Sequence, residues 1–154
     1  MSNQFDEFIR VIKVLEEKNV EYVLIGGVAM VLHGLERLTR DIDIFINPSK
    51  KNISNLQKAL NSIFHDKSIE EITLDEFANY SVIRYGTPNG FNIDLVSQLG
   101  EAVTFNDLAW ESIDYREIII KIATPETLYN LKKNTLRDKD KMDILFLKEI
   151  IRNR

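Results

Sequence analysis

Residues 41–46 read Asp-Ile-Asp-Ile-Phe-Ile, and no other stretch narrows the fold as much. Side chains of an extended strand alternate between its two faces, so Asp41 and Asp43 project to one side while Ile42, Ile44 and Ile46 project to the other. The segment is therefore a strand with its isoleucines in a core and two carboxylates side by side on the opposite surface. Two carboxylates about 4 Å apart repel by roughly 4 kcal/mol at an effective dielectric near 20. A proton or a divalent cation offsets that cost. An Asp-x-Asp pair also describes the solvated edge of a half-buried strand, and the flanking sequence separates the two readings.

Upstream, Glu21-Tyr22-Val23-Leu24-Ile25 reads as a buried strand running into Gly26-Gly27, and residues 27–34 as a short apolar helix ending at Gly34. Strand, glycine turn and helix start in that order make a phosphate cradle. Glycine admits an anion close to the backbone, and the free N–H groups at the helix start favour negative charge. A third carboxylate, Asp94, lies in Phe91-Asn92-Ile93-Asp94-Leu95-Val96, with Phe91, Ile93 and Leu95 on one face and Asp94 on the other. The β-prone run Ser81–Tyr85 and the turn-rich Gly86-Thr87-Pro88-Asn89-Gly90 precede it, so residues 80–97 predict a hairpin. If that hairpin extends the sheet beside Asp41 and Asp43, three oxygen donors converge. Three are enough for one or two magnesium ions, with water and phosphate completing the shell.

These motifs resemble the nucleotidyltransferase superfamily, the DNA polymerase β-like fold: Gly26-Gly27, Asp41-x-Asp43 and a later strand aspartate, Asp94. Within it the chain is similar to the small bacterial nucleotidyltransferases related to the AbiEii-type abortive-infection toxins. Pro125-Glu126-Thr127-Leu128-Tyr129-Asn130-Leu131-Lys132 and Arg137-Asp138-Lys139-Asp140-Lys141-Met142-Asp143 resemble that branch's helix carrying glutamate and lysine and its later Asp-x-x-Asp segment. The likeness spans residues 20 to 150. It implies an α+β nucleotidyltransferase fold, a mixed sheet flanked by helices, with the C-terminal helices closing the cleft. It also implies transfer of a nucleoside monophosphate from an NTP such as ATP to an acceptor hydroxyl. By the same resemblance Asp41, Asp43 and Asp94 hold one or two Mg2+ and act in catalysis with Arg40 and Lys132. Gly26, Gly27, Arg40, Lys132, Arg137 and Lys139 bind the nucleotide. The implied acceptor is tRNA or another RNA, for a toxin with an antitoxin protein as partner. A small antibiotic acceptor, a protein acceptor, or a non-catalytic nucleotide- or partner-binding module are the alternatives.

Three departures bear on how far the resemblance carries. Many superfamily members have Gly-Ser where this chain has Gly26-Gly27, so a hydroxyl is missing beside the phosphates. The abortive-infection toxins are generally longer than the 154 residues of this chain. The chain is also acidic, with 24 Asp plus Glu against 20 Lys plus Arg, which gives no global field to attract nucleic acid. A nucleic-acid acceptor therefore needs a local patch, and Arg37, Arg40, Lys132, Lys133, Arg137, Lys139 and Lys141 supply candidates. Lys133 and Lys141 read rather as solvated helix faces.

The C-terminal helices are expected to bury Leu128 and Leu131, then a stripe of Leu136, Met142, Leu145, Phe146 and Ile150. Asp140 and Asp143, three apart, read as complementing the dipole at the start of the last helix, whereas the resemblance implies that they position a base or a basic residue at the site, through Arg137 or Lys139. Glu126 in Thr-Pro-Glu is an ordinary helix start. His33 reads as a helix-end or packing residue and His65 as a loop residue. The remaining expectations are helices at 3–18, 49–64 and near 106–111, and a strand at 116–122. With 44% hydrophobic and 29% charged residues and no cysteine, the composition predicts one domain over residues 1–154 and excludes disulfides and cysteine-ligated zinc. The amphipathic residues 2–18 do not read as a signal peptide, and no apolar run reaches membrane-spanning length. A cytoplasmic location without membrane attachment is the resulting expectation.

Overall fold

In the computed structural model, which describes residues 3–99, 103–133 and 138–154, α1 spans Gln4–Glu17 and is started by the Asn3 side chain accepting from the Asp6 N–H. Phe8, Val11, Ile12 and Leu15 recur at helical spacing on its buried face. Strand β1 (Tyr22–Ile25) is buried throughout and meets α2 (Gly26–Leu32) at Gly26, whose φ of +72° is the left-handed region that glycine enters without a Cβ penalty. Then come β2 (Ile42–Ile46) and α3 (Lys50–Phe64), the latter capped by Ser49 and closed by His65 at φ 46°. A 3-10 turn at Lys67–Glu71 and helix α4 (Leu74–Asn79) lead into the hairpin of β3 (Val82–Gly86) and β4 (Asn92–Val96). A small hairpin, β5 (Gln98–Leu99) and β6 (Val103–Thr104), precedes β7 (Trp110–Tyr115) and β8 (Ile118–Ala123). Helices α5 (Pro125–Lys132) and α6 (Asp138–Arg152) close the chain and pack on each other.

Six strands form one mixed sheet in the order β3-β4-β2-β1-β8-β7. The pairs β1/β2, β3/β4 and β7/β8 are antiparallel, whereas β2/β4 and β1/β8 are parallel. Helices α1 and α3 pack together on one face. There Phe91 meets Phe8 and Phe64, and Phe64 meets Tyr85, in edge-to-face contacts 5.3–6.1 Å apart, a favoured arrangement for aromatic rings. Phe91, Ile93 and Leu95 thus anchor β4 to the helices, and Ile42, Ile44 and Ile46 do the same for β2 without residual exposure. By alternation the aspartates of both strands emerge on the other face.

Two expectations are corrected. Residues 106–111 are not a helix: a single 3-10 turn at Phe105–Asp107 gives way to β7. The alternation along Trp110–Tyr115 is satisfied by pairing with β8 through a turn in which Arg116 and Glu117 both have positive φ. Helix α6 also departs in part from the expected stripe, of which Phe146 packs against the core as expected. Met142 and Leu145 are 65% and 61% exposed, while Asp140, Asp143 and Leu147 face inward. Leu136 lies outside the described residues.

Candidate active site

The three aspartates line one cavity. Parallel pairing of β2 and β4 puts Asp43 opposite Asp94 in register, so their carboxyl groups face each other at hydrogen-bonding range. Asp41, just before β2, accepts a hydrogen bond from the backbone N–H of Asn92 at 3.2 Å, which ties the start of β2 to the start of β4. All three line one cavity of about 660 Å³ that also touches Gly26, Gly27, Arg40 and Lys132. Burial, and then the neighbouring charge of Asp94, push the Asp43 carboxyl up to about 6. Both effects penalise its ionised form, and Lys132 opposes them from across the cavity.

The glycine turn earns its residues sterically. A Cβ on Gly26 would run into Oδ2 of Asp43, and one on Gly27 would stand 2.7 Å from Oγ1 of Thr39. Gly26 therefore leaves room for the Asp43 carboxylate, and Gly27 leaves room for the Thr39 hydroxyl, which donates to the Asp41 carbonyl at 3.1 Å. In this chain a threonine hydroxyl from the loop stands beside the place where a serine at position 27 would begin.

Positive charge reaches the cavity from three elements. Arg84 on β3 is the cross-strand partner of Asp94, and its guanidinium forks onto that carboxylate at 2.8 and 3.1 Å while standing 4.0 Å from Asp41. The hydrogen bonds and charge of Asp94 raise the Arg84 pKa further. Lys132, in the last turn of α5, is held by Asp140 at 2.9 Å and Asp143 at 3.1 Å. Arg37, in the loop before β2, is held by Asp143 at 2.5 Å. Asp140 and Asp143 are each only 1% exposed. They are not helix-start charges in solvent but a buried acidic pair that fixes two described cations, Lys132 and Arg37, against the cavity wall.

Other expected site residues divide as follows. Arg40 is exposed at the cavity rim. Arg137 and the side chain of Lys139 lie outside the described residues. Glu126 pairs with Arg154 at 2.9 Å and is structural, and the Nε2–H of His33 donates to the Ala123 carbonyl at 2.8 Å, away from the residues that line the cavity. Arg84 was absent from the sequence-derived set, although the hairpin register that pairs Gly86 with Asn92 carries it opposite Asp94. The Arg37–Asp143 pair spans 106 residues, and nothing local announces it.

The donor chemistry suits a hard divalent cation. Among the described residues no three acidic or histidine side chains stand together as a ready-made cage. Magnesium, however, is commonly bound by one or two carboxylates with water and substrate phosphate supplying the rest. Asp43 and Asp94, two facing carboxyls of which Asp43 is pushed up to about 6 by burial and by its neighbour's charge, fit that requirement, with Asp41 alongside.

Residues 11–139 match the model of the family described as nucleotidyl transferase AbiEii toxin, Type IV TA system. No curated protein matches the chain by sequence. Among solved structures, the fold is similar to that of the lincosamide antibiotic adenylyltransferase LnuA with lincomycin bound. That pair shares 20% identity at a TM-score of 0.63, over 94% of this chain and 96% of that one. It is also similar to an antigenic nucleotidyltransferase-like protein from Paracoccidioides brasiliensis, with 17% identity and a TM-score of 0.60 over 97% and 77%. A third likeness is to ANT(2")-Ia in complex with adenylyl-2"-tobramycin, with 11% identity and a TM-score of 0.58 over 97% and 90%.

Proposed function

This chain belongs to the AbiEii nucleotidyltransferase family and is a nucleotidyltransferase, and we propose that it transfers a nucleoside monophosphate from an NTP to a hydroxyl of tRNA or another RNA, as the toxin half of a toxin–antitoxin pair. The observation that carries the reading is the convergence of Asp41, Asp43 and Asp94 beside the glycine turn in one cavity with Lys132. In this reading Gly26 and Gly27 offer backbone N–H groups to the terminal phosphates, with Arg137 and Lys139 as further nucleotide contacts. Asp41, Asp43 and Asp94 would hold one or two Mg2+. When bound, the metal supplies charge neutralisation of the triphosphate and of the departing pyrophosphate. Asp94 orients the acceptor hydroxyl and draws off its proton as the oxygen attacks the α-phosphorus. The bond from that phosphorus to the bridging oxygen breaks, and pyrophosphate leaves opposite the attacking oxygen. Lys132 and Arg40 stabilise charge gathering on the transferred group, a term that preorganised cations typically make worth several kcal/mol.

A small-antibiotic acceptor is the second reading. It is favoured by the match over nearly the full length of both chains with the lincosamide adenylyltransferase. The two separate in one assay: each α-labelled NTP with magnesium, offered total tRNA, lincosamide and aminoglycoside in turn. The wild type is expected to label RNA, and Asp43→Ala to label nothing. Label on the drug alone would replace the first reading with the second. An absence of transfer to every acceptor, accompanied by tight NTP binding in a calorimeter, would replace both with a non-catalytic nucleotide-binding role.

A further inference from the structure

Arg84 stands on the edge strand β3 with its side chain 60% exposed, yet its guanidinium turns inward to the aspartates. Nε donates to Oδ1 of Asp94 at 2.8 Å and Nη2 to Oδ2 at 3.1 Å, and Nη2 lies 4.0 Å from Oδ2 of Asp41. A planar fork on both oxygens of one carboxylate is the strongest directional pairing an arginine makes. Both oxygens of Asp94 are thereby engaged, and the charge between Asp94 and Asp41 is met from within the chain. A divalent cation seated against Asp43 and Asp94 needs at least one of those same oxygens. Two cations on one carboxylate also repel across a few ångströms. The guanidinium and the metal ion therefore compete for a shared set of lone pairs.

The competition can be resolved without disturbing the core. Among the described residues β3 is the edge strand of the sheet, and with Arg84 60% exposed its pair with Asp94 is open enough to solvent to be screened. A long arginine on such a strand swings away by side-chain rotation alone. Lys132 and Arg37 differ in this respect, since each is fixed by carboxylates that are themselves buried.

We propose that Arg84 is an exchangeable counter-ion: it neutralises Asp94 and Asp41 while the cleft is free of metal, and a divalent cation displaces it from Asp94. This rests on the reading of Asp41, Asp43 and Asp94 as the metal-binding set. The exchange sets the cation concentration at which the cleft becomes competent, and it leaves a tethered guanidinium on the cavity wall once the cation is seated.

The test is Mn2+ affinity without nucleotide, from the electron paramagnetic resonance signal of free Mn2+, for wild type, Arg84→Gln, Arg84→Lys, Asp43→Asn, Asp94→Asn and the Arg84→Gln/Asp94→Asn double variant. Arg84→Gln is expected to bind Mn2+ about tenfold more tightly, a coupling of ordinary size between two sites. Arg84→Lys, which keeps charge without the fork, should fall between. In the Asp94→Asn background the Arg84 substitution should change affinity less than about twofold, because the shared ligand is gone. Unchanged or weaker binding by Arg84→Gln, with binding still lost in Asp43→Asn, overturns the exchange and leaves the metal site standing. No Mn2+ binding by any variant overturns the metal-site reading and the exchange with it. A second readout is independent of affinity: the Arg84 Nε–H resonance should shift on addition of Mg2+, and a resonance that stays in place at saturating Mg2+ rules the exchange out.

Discussion

Asp43 concentrates the conflict of the site in one side chain. Its folded pKa of about 6 lies above the 3.8 of a free aspartate, first because it is buried and then because Asp94 faces it. Between those two values the folded protein holds a proton that the unfolded chain has released. For this group, stability is greatest below about pH 4, falls as the pH rises through about 6, and is level above. In EDTA, urea unfolding should therefore show Asp43→Asn more stable than wild type at pH 7.5, by about 1–3 kcal/mol, with the advantage vanishing near pH 4. The same variant should be inactive. A wild type as stable as Asp43→Asn at both pH values would show that Asp43 is not held up. Gly26 is the complementary case. Gly26→Ala imposes a Cβ both on a φ of +72° and on the Asp43 carboxylate, so it should lose about 2 kcal/mol or more of stability and activity along with it.

Helix α6 shows how an element is oriented by charge. Turning Met142 and Leu145 inward would bury more apolar surface. The helix instead presents Asp140 and Asp143 to Lys132 and Arg37, because two cations enclosed without partners would cost more than two exposed apolar side chains. Removing one member of a buried pair leaves the other charge uncompensated. Asp143→Ala is accordingly expected to destabilise by about 3–5 kcal/mol, read by urea denaturation, whereas Met142→Ala should fall within about 0.5 kcal/mol of wild type. If Asp143→Ala unfolded at the wild-type midpoint, the tethering of α5 to α6 through charge would be wrong. The β3/β4 hairpin is the counterpart in the sheet. Its register presents Arg84 to Asp94, so a one-residue slip would exchange that pairing for a buried mismatch.

At the scale of the whole molecule the net charge of −4 supplies no long-range attraction for RNA, and among the described residues no helix is long and apolar enough to cross a membrane. An RNA acceptor would then be held by the few cations at the cleft mouth, of which Arg40 is exposed and lines the cavity. Two or three phosphate contacts predict that tRNA affinity falls about ten- to fortyfold between about 50 and 200 mM salt, and that Arg40→Gln flattens the slope by about one contact. An affinity indifferent to salt would exclude that mode of binding. It would also strengthen the case for a small acceptor enclosed by the cavity.

What the sequence determined by itself is what local periodicity and turn chemistry dictate. Asp41 and Asp43 share a face because a strand repeats every two residues, Asp94 stands opposite Phe91, Ile93 and Leu95 for the same reason, and Gly26 marks the only kind of residue that tolerates the turn. The shared face of the aspartates was legible on that basis, and the fold class through the family resemblance that these motifs carry. Tertiary structure decided everything that depends on which distant segments pair: the parallel register that brings Asp43 to Asp94, the face that α6 buries, the capture of Arg37 by Asp143 across 106 residues, and the placing of β7 where a helix had been expected. In each of these, burial and charge pairing between remote parts of the chain compete, and the outcome is set by the balance over the whole assembly, a quantity that no short window of residues contains.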